Sequence, residues 1–145
     1  MAVSAKFYGK FFNSAFTKKV DLSADTIKVM LCTSSYTPDQ DTHDFKDDVT
    51  AEVTGTGYTA GGATLGSPSL TYTGGTNTLA FDGADVSWAA STLTARYAVV
   101  YDSTPGTDAT RPLIMYVDFG ADVSTTAGTL QLTWDSAGLC SVTVA

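Results

Sequence analysis

The sequence predicts an all-β fold: an antiparallel β-sandwich or barrel of about eight short strands, preceded by one short N-terminal amphipathic helix. Apolar and polar residues alternate over several short segments that are rich in Val, Thr and aromatic residues. Turn-forming runs of Gly, Asp, Ser and Thr recur roughly every 8–12 residues, as they do in sandwiches. No strand alternates with a helical segment in the way that a parallel sheet requires. The 145 residues are enough for one domain.

The strand predictions rest on β-branched and aromatic runs and on period-2 alternation. The two clearest core strands are 95–101 and 113–119. Segments 129–134 and 139–144 alternate, and we expect the turn at 135–138 to join them into one hairpin. The remaining strand predictions are 26–32, 69–73, 77–82 and 85–89. The apolar positions of these segments predict a buried core of Tyr97, Val99, Val100, Ile114, Tyr116, Val117, Leu130, Leu132, Trp134, Val142 and Val144.

Residues 5–18 have the pattern of a short amphipathic helix. Four of the eight cationic residues and no acid lie within the first twenty positions, so that segment carries +4. This leaves −11 for the rest of a chain whose net charge is −7. We therefore predict a basic helix or arm at 1–20 and a single β-sandwich domain at 21–145. The apolar face of the helix consists of Phe7, Tyr8, Phe11, Phe12, Ala15 and Phe16.

This segment has three possible roles, two of which are compatible. It could cover an open sheet with its aromatic face, and it could present its lysines to an acidic partner. A membrane-surface role is less favoured, because four cations and one short apolar face are marginal for such binding. An acidic chain is also a poor match for nucleic acid, whose phosphates attract cations. No run of apolar residues is long enough for a membrane span, and no secretory signal is recognised, so we expect assembly in a cytoplasm.

The one histidine, His43, lies in the acidic window 39–48. It could act as a general base oriented by an aspartate, but no nucleophile motif accompanies it, and a solvated loop is the simpler interpretation. Asp39, Asp41 and Asp44 offer oxygen ligands for Ca²⁺, although the spacing does not match an EF-hand loop. Whether this window binds calcium stays open. Cys32 and Cys140 match no zinc spacing, and we predict no metal and no cofactor. Each lies in an apolar run, which predicts two buried free thiols, with a disulfide between them as the less favoured alternative.

Several stretches of the chain resemble a small virion structural protein of tailed bacteriophages. The resemblance covers most of the sequence and is greatest to the capsid decoration, or cement, proteins. These are small, mostly β proteins that sit on the outside of an assembled shell, often as trimers. The segments that carry the resemblance are 6–12, 25–31, 35–43, 52–62, 94–102 and 116–120.

This resemblance implies a non-enzymatic protein that binds and stabilises the capsid exterior, with the major capsid protein as partner and a homo-oligomer as the working form. It implies no catalytic residue, and the charge balance and the short apolar face given above are the reasons to expect no nucleic-acid partner and no membrane partner. A tail-associated structural, receptor-binding or carbohydrate-binding module is the alternative, which clustered exposed Trp and Tyr around a groove would favour. Trp88 and Trp134 lie in predicted strands, so we expect them to be buried. The candidate docking residues are Lys6, Phe7, Lys10, Phe11, Lys18 and Lys19.

Overall fold

The computed structural model describes residues 2–145, and these residues form eight strands, one α-helix and two short 3₁₀ turns. In chain order they are β1 (Ser4–Phe7), α1 (Lys10–Phe16), β2 (Ile27–Cys32), a 3₁₀ turn (Lys46–Asp48), β3 (Ala63–Thr64), β4 (Ser69–Thr73), β5 (Thr78–Asp82), β6 (Val86–Asp102), a second 3₁₀ turn (Asp108–Thr110), β7 (Leu113–Leu132) and β8 (Cys140–Thr143). The first sheet has the order β1-β7-β6-β2-β3, and the second has the order β4-β5-β8. All the pairings between these strands are antiparallel. The predicted mainly-β sandwich with one short helix is confirmed.

Strands β6 and β7 form one long hairpin through the first sheet. They contain 17 and 20 residues, far more than the short strands that the sequence predicts. The pairing shifts register between Trp88 and Ser91 and again between Ala95 and Tyr97. Bulges of this kind bend a strand and increase its twist. The segments predicted as separate strands at the two ends of β6 are therefore parts of one bent strand.

The predicted hairpin between 129–134 and 139–144 is wrong, although the turn between them is present. The Gly138 N–H donates to the Asp135 carbonyl at 2.9 Å. On either side of this turn the chain then diverges, because β7 pairs with β6 and β8 pairs with β5. These two pairings provide hydrogen-bond partners for backbone groups of β7 and β8 that would otherwise have none. The turn therefore carries the chain from the first sheet to the second.

The helix predicted over 5–18 is shorter than expected, because its first part is a strand. Ser4–Phe7 pairs with β7, which places Phe7 opposite Met115. Phe7 then packs against the main core, whereas the next residue, Tyr8, enters a second apolar cluster. Side chains of adjacent strand residues point to opposite faces, so a strand buries both rings where a helix would put them on one side. The helix begins only after Gly9, whose N–H donates to the Gln40 carbonyl at 2.8 Å.

Most of the predicted core is buried, with two clear exceptions. Val142 and Val144 are exposed, at 38% and 60% of their full area. They lie in and after β8, an edge strand of the second sheet whose apolar face is only partly covered. Tyr97, Leu132 and Trp134 are half-buried. The buried members of the predicted set are Val99, Val100, Ile114, Tyr116, Val117 and Leu130.

Cys32 and Cys140 are free cysteines. The first is buried in β2, and the second is half-buried at the start of β8 rather than fully buried as predicted. Burial raises the pKa of each thiol to about 12, so both carry their proton at neutral pH. Among residues 2–145, no helix has the length and apolarity that crossing a bilayer would need.

Candidate docking surface

An apolar groove lies between α1 with its flanking residues and the second sheet. Its volume is about 650 Å³. One wall is formed by residues on and around the helix, and the other by strands β4, β5 and β8. We call this feature the apolar groove. Its lining residues are Phe7, Phe11, Phe12, Ala15, Phe16, Lys18, Val20, Asp21, Leu22, Leu70, Leu79, Phe81, Cys140, Ser141, Val142 and Val144.

Three phenylalanines anchor the helix wall of the groove. The ring of Phe7 stacks on that of Phe11, with centroids 5.7 Å apart and planes at 6°. Phe12 packs against both, at 5.1 and 5.3 Å between centroids. Offset and edge arrangements at these distances are the favourable ones for aromatic pairs. The helix wall is therefore held by packed rings even though α1 has only seven residues.

Phe16, at the end of this helix, differs from the other three rings. It is 87% exposed, the largest exposed fraction of any large apolar side chain among residues 2–145. Phe11 is buried, and Phe12 is half-buried. The aromatic face thus passes from the core to solvent within seven residues, and its outer end has no cover within the described chain.

The sheet wall has one apolar face and one polar face. Cross-strand register places Tyr72, Leu79 and Val142 in one row, next to a row of Leu70, Phe81 and Cys140. The residues between them point to the opposite face, since successive strand side chains alternate. Those that do not line the groove are small or hydroxylated: Thr71, Thr73, Thr78, Ala80 and Thr143.

The apolar face of this sheet meets the groove, but the helix covers only its inner part. Phe81 is 2% exposed, whereas Leu70 and Leu79 are exposed at 43% and 36%. Together with Phe16, Val142 and Val144, they form a contiguous apolar surface. Exposed apolar patches of this kind mark interaction sites in soluble proteins.

The structure separates the predicted docking residues into two groups. Phe7, Phe11 and Lys18 line the apolar groove. Lys18 follows the helix and has a positive φ of 61°. The remaining three lysines, Lys6, Lys10 and Lys19, do not line it.

Two of those three lysines contact the acidic window 39–48 of their own chain, which we call the acidic loop. The Lys10 ammonium lies 3.7 Å from a carboxylate oxygen of Asp44. The Lys19 ammonium lies 5.2 Å from the centroid of the Phe45 ring. Lys6 is exposed on the edge strand β1. The lysine cluster thus partly serves to attach the acidic loop, which the sequence pattern alone did not indicate.

The acidic loop is ordered by its own hydrogen bonds. The Asp39 carboxylate accepts from the backbone N–H groups of Asp41 and Thr42, at 2.9 and 3.0 Å. Hydrogen bonds from Thr42 and from these backbone groups lower the pKa of Asp39. Among residues 2–145, no group of three or more His, Cys, Asp or Glu side chains lies close enough together to hold a metal ion. The acidic side chains here instead cap turns of the loop.

Sequence reasoning found the helix side of the groove and missed the sheet side. Leu70, Leu79 and Val142 have the alternation of a half-buried strand, which predicts an apolar face but not the extent of its cover.

Comparison with protein-family models, with curated proteins and with solved structures gave no match.

Proposed function

We propose that this chain is a non-enzymatic structural protein of a phage virion that binds and stabilises the capsid exterior as a decoration protein. It would assemble in the host bacterial cytoplasm and act as a homo-oligomer. The apolar groove with the exposed Phe16 is the observation that carries this proposal. The resemblance of the sequence to phage decoration proteins supplies the identity of the partner, the major capsid protein.

The groove supports a docking role because its apolar surface is costly to leave in water. Covering apolar surface contributes about 25 cal/mol per Å². A ring that is almost fully exposed, such as Phe16, therefore gains more on contact than the rings already packed beneath it. A partner segment with an apolar side chain in this groove would bury Phe16, Leu79 and Val142 together.

The charges around the groove favour an acidic partner segment. Lys18 contributes a cation to the lining, while Asp21 is the acid there. Asp21 already accepts from the Ser23 N–H and hydroxyl, at 2.9 and 2.6 Å, whereas Lys18 makes no ion pair among residues 2–145. Exposed charges act mainly on orientation and association rate, whereas apolar burial supplies most of the affinity. The proposed occupant is thus an acidic and apolar segment on the outer face of a capsid subunit.

Many copies on one shell would make modest individual contacts sufficient. Linking binding sites converts the later contacts into intramolecular ones and raises the overall avidity without new contacts. A homo-oligomer of this chain presents several grooves at once. This is the physical reason to expect the oligomer that the resemblance implies.

The alternative, a receptor-binding or carbohydrate-binding module of the tail, would be supported by exposed Trp and Tyr side chains that cluster around a groove. Trp88 is 5% exposed and packs near Tyr58, with 6.2 Å between ring centroids. Trp134 is half-buried, and its indole N–H donates to the Ala84 carbonyl at 3.0 Å. Neither indole is available as an open platform, and Tyr72, at 56%, is the one exposed tyrosine among residues 2–145, so exposed Trp and Tyr do not cluster around a groove.

Reconstitution on capsids tests the proposal. Purified full-length protein is added to capsids and to tails prepared without it, and each sample is imaged by electron cryomicroscopy. We expect regularly spaced added density on the outer capsid surface and none on the tails. Density confined to tails, or absent from both, would contradict the decoration role. Analytical ultracentrifugation of the same protein tests the homo-oligomer, and a monomer at all concentrations would contradict that part.

A further inference from the structure

A second, polar pocket of about 300 Å³ lies beside β2 and β6 and shares no lining residue with the apolar groove. Lys28 of β2, Tyr101 of β6 and Gly61 form its inner part. Lys46 comes from the first 3₁₀ turn, and Arg111 directly follows the second. The pocket thus gathers cationic side chains from three separate parts of the chain.

Positive charge is concentrated here far above the average of the molecule. Only four cationic residues follow position 20, and three of them line this pocket. Two carboxylates, Glu52 and Asp108, also line it. Its formal charge is therefore +1, within a chain whose net charge is −7.

The ion pairs within the pocket leave one of its three cations without a carboxylate partner. One carboxylate, Asp108, pairs with both Lys46 at 2.7 Å and Arg111 at 2.8 Å. Arg111 also donates through Nε to the Pro105 carbonyl at 2.8 Å. Lys28 makes no ion pair with any residue in the described range 2–145, although its ammonium lies beside Gly61. The Lys28 ammonium is thus the cation available to a bound anion.

Hydrogen bonds among Glu52, Gly61 and Tyr101 fix another part of the pocket lining, which also offers an acceptor. The Glu52 carboxylate accepts from the Gly61 N–H at 2.6 Å and from the Tyr58 hydroxyl at 2.7 Å. The Tyr101 hydroxyl donates to the Gly61 carbonyl at 2.7 Å. Both polar groups of the Gly61 backbone are therefore fixed, and the second oxygen of Glu52 has no protein donor among the described residues.

We infer that this pocket binds a small hydroxy acid, a polar molecule of about sugar size that carries a single carboxylate. A monoanion matches the charge of +1, and its carboxylate would pair with the Lys28 ammonium. Hydroxyl groups of the same molecule would donate to Glu52. The volume lies at the lower end of the range of ligand sites, about 300–1,000 Å³, and suits one sugar ring. This site is independent of the docking surface and of the proposed function.

A matched pair of sugars tests the inference. Isotopically labelled full-length protein is titrated with sodium glucuronate, with glucose and with sodium chloride, while the amide resonances of Gly61 and Ser103 are followed. We expect saturable shifts with glucuronate only, because glucose has the same ring without the carboxylate. Absence of saturable shifts with glucuronate, or equal affinity for glucose, would overturn the inference.

A charge variant gives the second readout. We expect Lys28→Gln to weaken glucuronate binding about tenfold, as loss of one charge-assisted contact does. Lys6→Gln is the matched control, since this lysine is exposed on β1 and does not line the pocket. Unchanged glucuronate affinity in folded Lys28→Gln would overturn the assignment of the carboxylate to this lysine. The wild-type comparison of the two sugars decides the matter if that variant does not fold.

Discussion

The Tyr8 hydroxyl lies 2.8 Å from the Tyr36 hydroxyl, and both side chains are buried. The Tyr36 hydroxyl lies in turn 2.9 Å from Nδ1 of His43. The Asp39 backbone N–H also points at this nitrogen, at 3.3 Å. An N–H can only donate, so Nδ1 accepts. The Tyr36 hydroxyl therefore donates to His43, and the Tyr8 hydroxyl donates to Tyr36. This chain of hydrogen bonds joins the N-terminal segment to the acidic loop.

We expect Tyr36→Phe to lower the free energy of unfolding by about 1–3 kcal/mol. The substitution leaves the Tyr8 hydroxyl buried without its acceptor, and it removes the donor to His43. Urea denaturation of wild type and variant measures the difference. Tyr72→Phe is the control, because the Tyr72 hydroxyl is exposed and bonds Asn77 at 3.2 Å at the surface. Equal effects of the two substitutions would contradict a structural role for the buried chain.

Asp102 is a fully buried carboxyl with only one satisfied oxygen. Its Oδ1 accepts from the Thr104 N–H at 2.8 Å, and its Oδ2 has no partner. Burial, with the nearby Asp25 carboxyl, raises the pKa of Asp102 to about 6. The fold therefore favours the protonated form. The stability that this group contributes is fully present below its ordinary pKa and is lost as pH rises through about 6.

We expect Asp102→Asn to be more stable than wild type at about pH 7.5, by up to about 3 kcal/mol. The amide keeps the acceptor for Thr104 and carries no charge at any pH. The difference should shrink toward zero below about pH 3, where the carboxyl is protonated in both the folded and the unfolded chain. Urea denaturation at several pH values measures it. A stability difference that does not change with pH would contradict the raised pKa.

The backbone conformation and the close neighbours at position 62 require glycine. Its φ is +79°, and a Cβ there would overlap the Val29 carbonyl and the backbone of Met30. We expect Gly62→Ala to destabilise the fold by more than about 2 kcal/mol, since it combines an unfavourable φ with a clash against β2. Gly74→Ala is the control, because nothing lies within 4 Å of a Cβ at that position. Thermal unfolding of both variants measures the effect, and a Gly62→Ala variant as stable as the control would show that β2 can move aside.

The lysine on the groove should affect binding through its charge alone. We expect Lys18→Gln to reduce capsid occupancy at low salt, and the difference from wild type to vanish near about 1 M salt, where the Debye length is about 3 Å. Lys6→Gln, on the exposed edge strand outside the groove, is the control. Sedimentation of capsids with bound protein measures occupancy. A loss that persists at high salt would mean that Lys18 acts through packing rather than charge.

The sequence predicts the fold class well because period-2 alternation is local information. Strand β2 lies within one residue of its predicted bounds, and β4 and β5 match closely. Which strands pair with each other is not determined by local sequence. The alternation in 139–144 indicates a strand with one apolar face, but it cannot say that β5 rather than β7 pairs with it.

The candidate docking surface is likewise predictable from the sequence only in part. The aromatic spacing of Phe7, Phe11 and Phe12 predicts an apolar face on the N-terminal segment, and these rings do line the groove. Their spacing fits a helix equally well throughout, so it could not show that Phe7 belongs to an edge strand. The exposure of Phe16 and Val142 depends on how far α1 reaches across the second sheet, which no segment of the sequence encodes alone.

The most direct test of the docking role is the capsid occupancy of Phe16→Ser. This side chain is 87% exposed, so the substitution should leave thermal stability almost unchanged. Val3→Ser is the matched control, because Val3 is another exposed apolar residue of the N-terminal segment that does not line the groove. We expect Phe16→Ser to lower the apparent affinity for capsids about tenfold or more, and Val3→Ser to bind as wild type does. Wild-type occupancy by Phe16→Ser would contradict the assignment of the apolar groove as the docking surface.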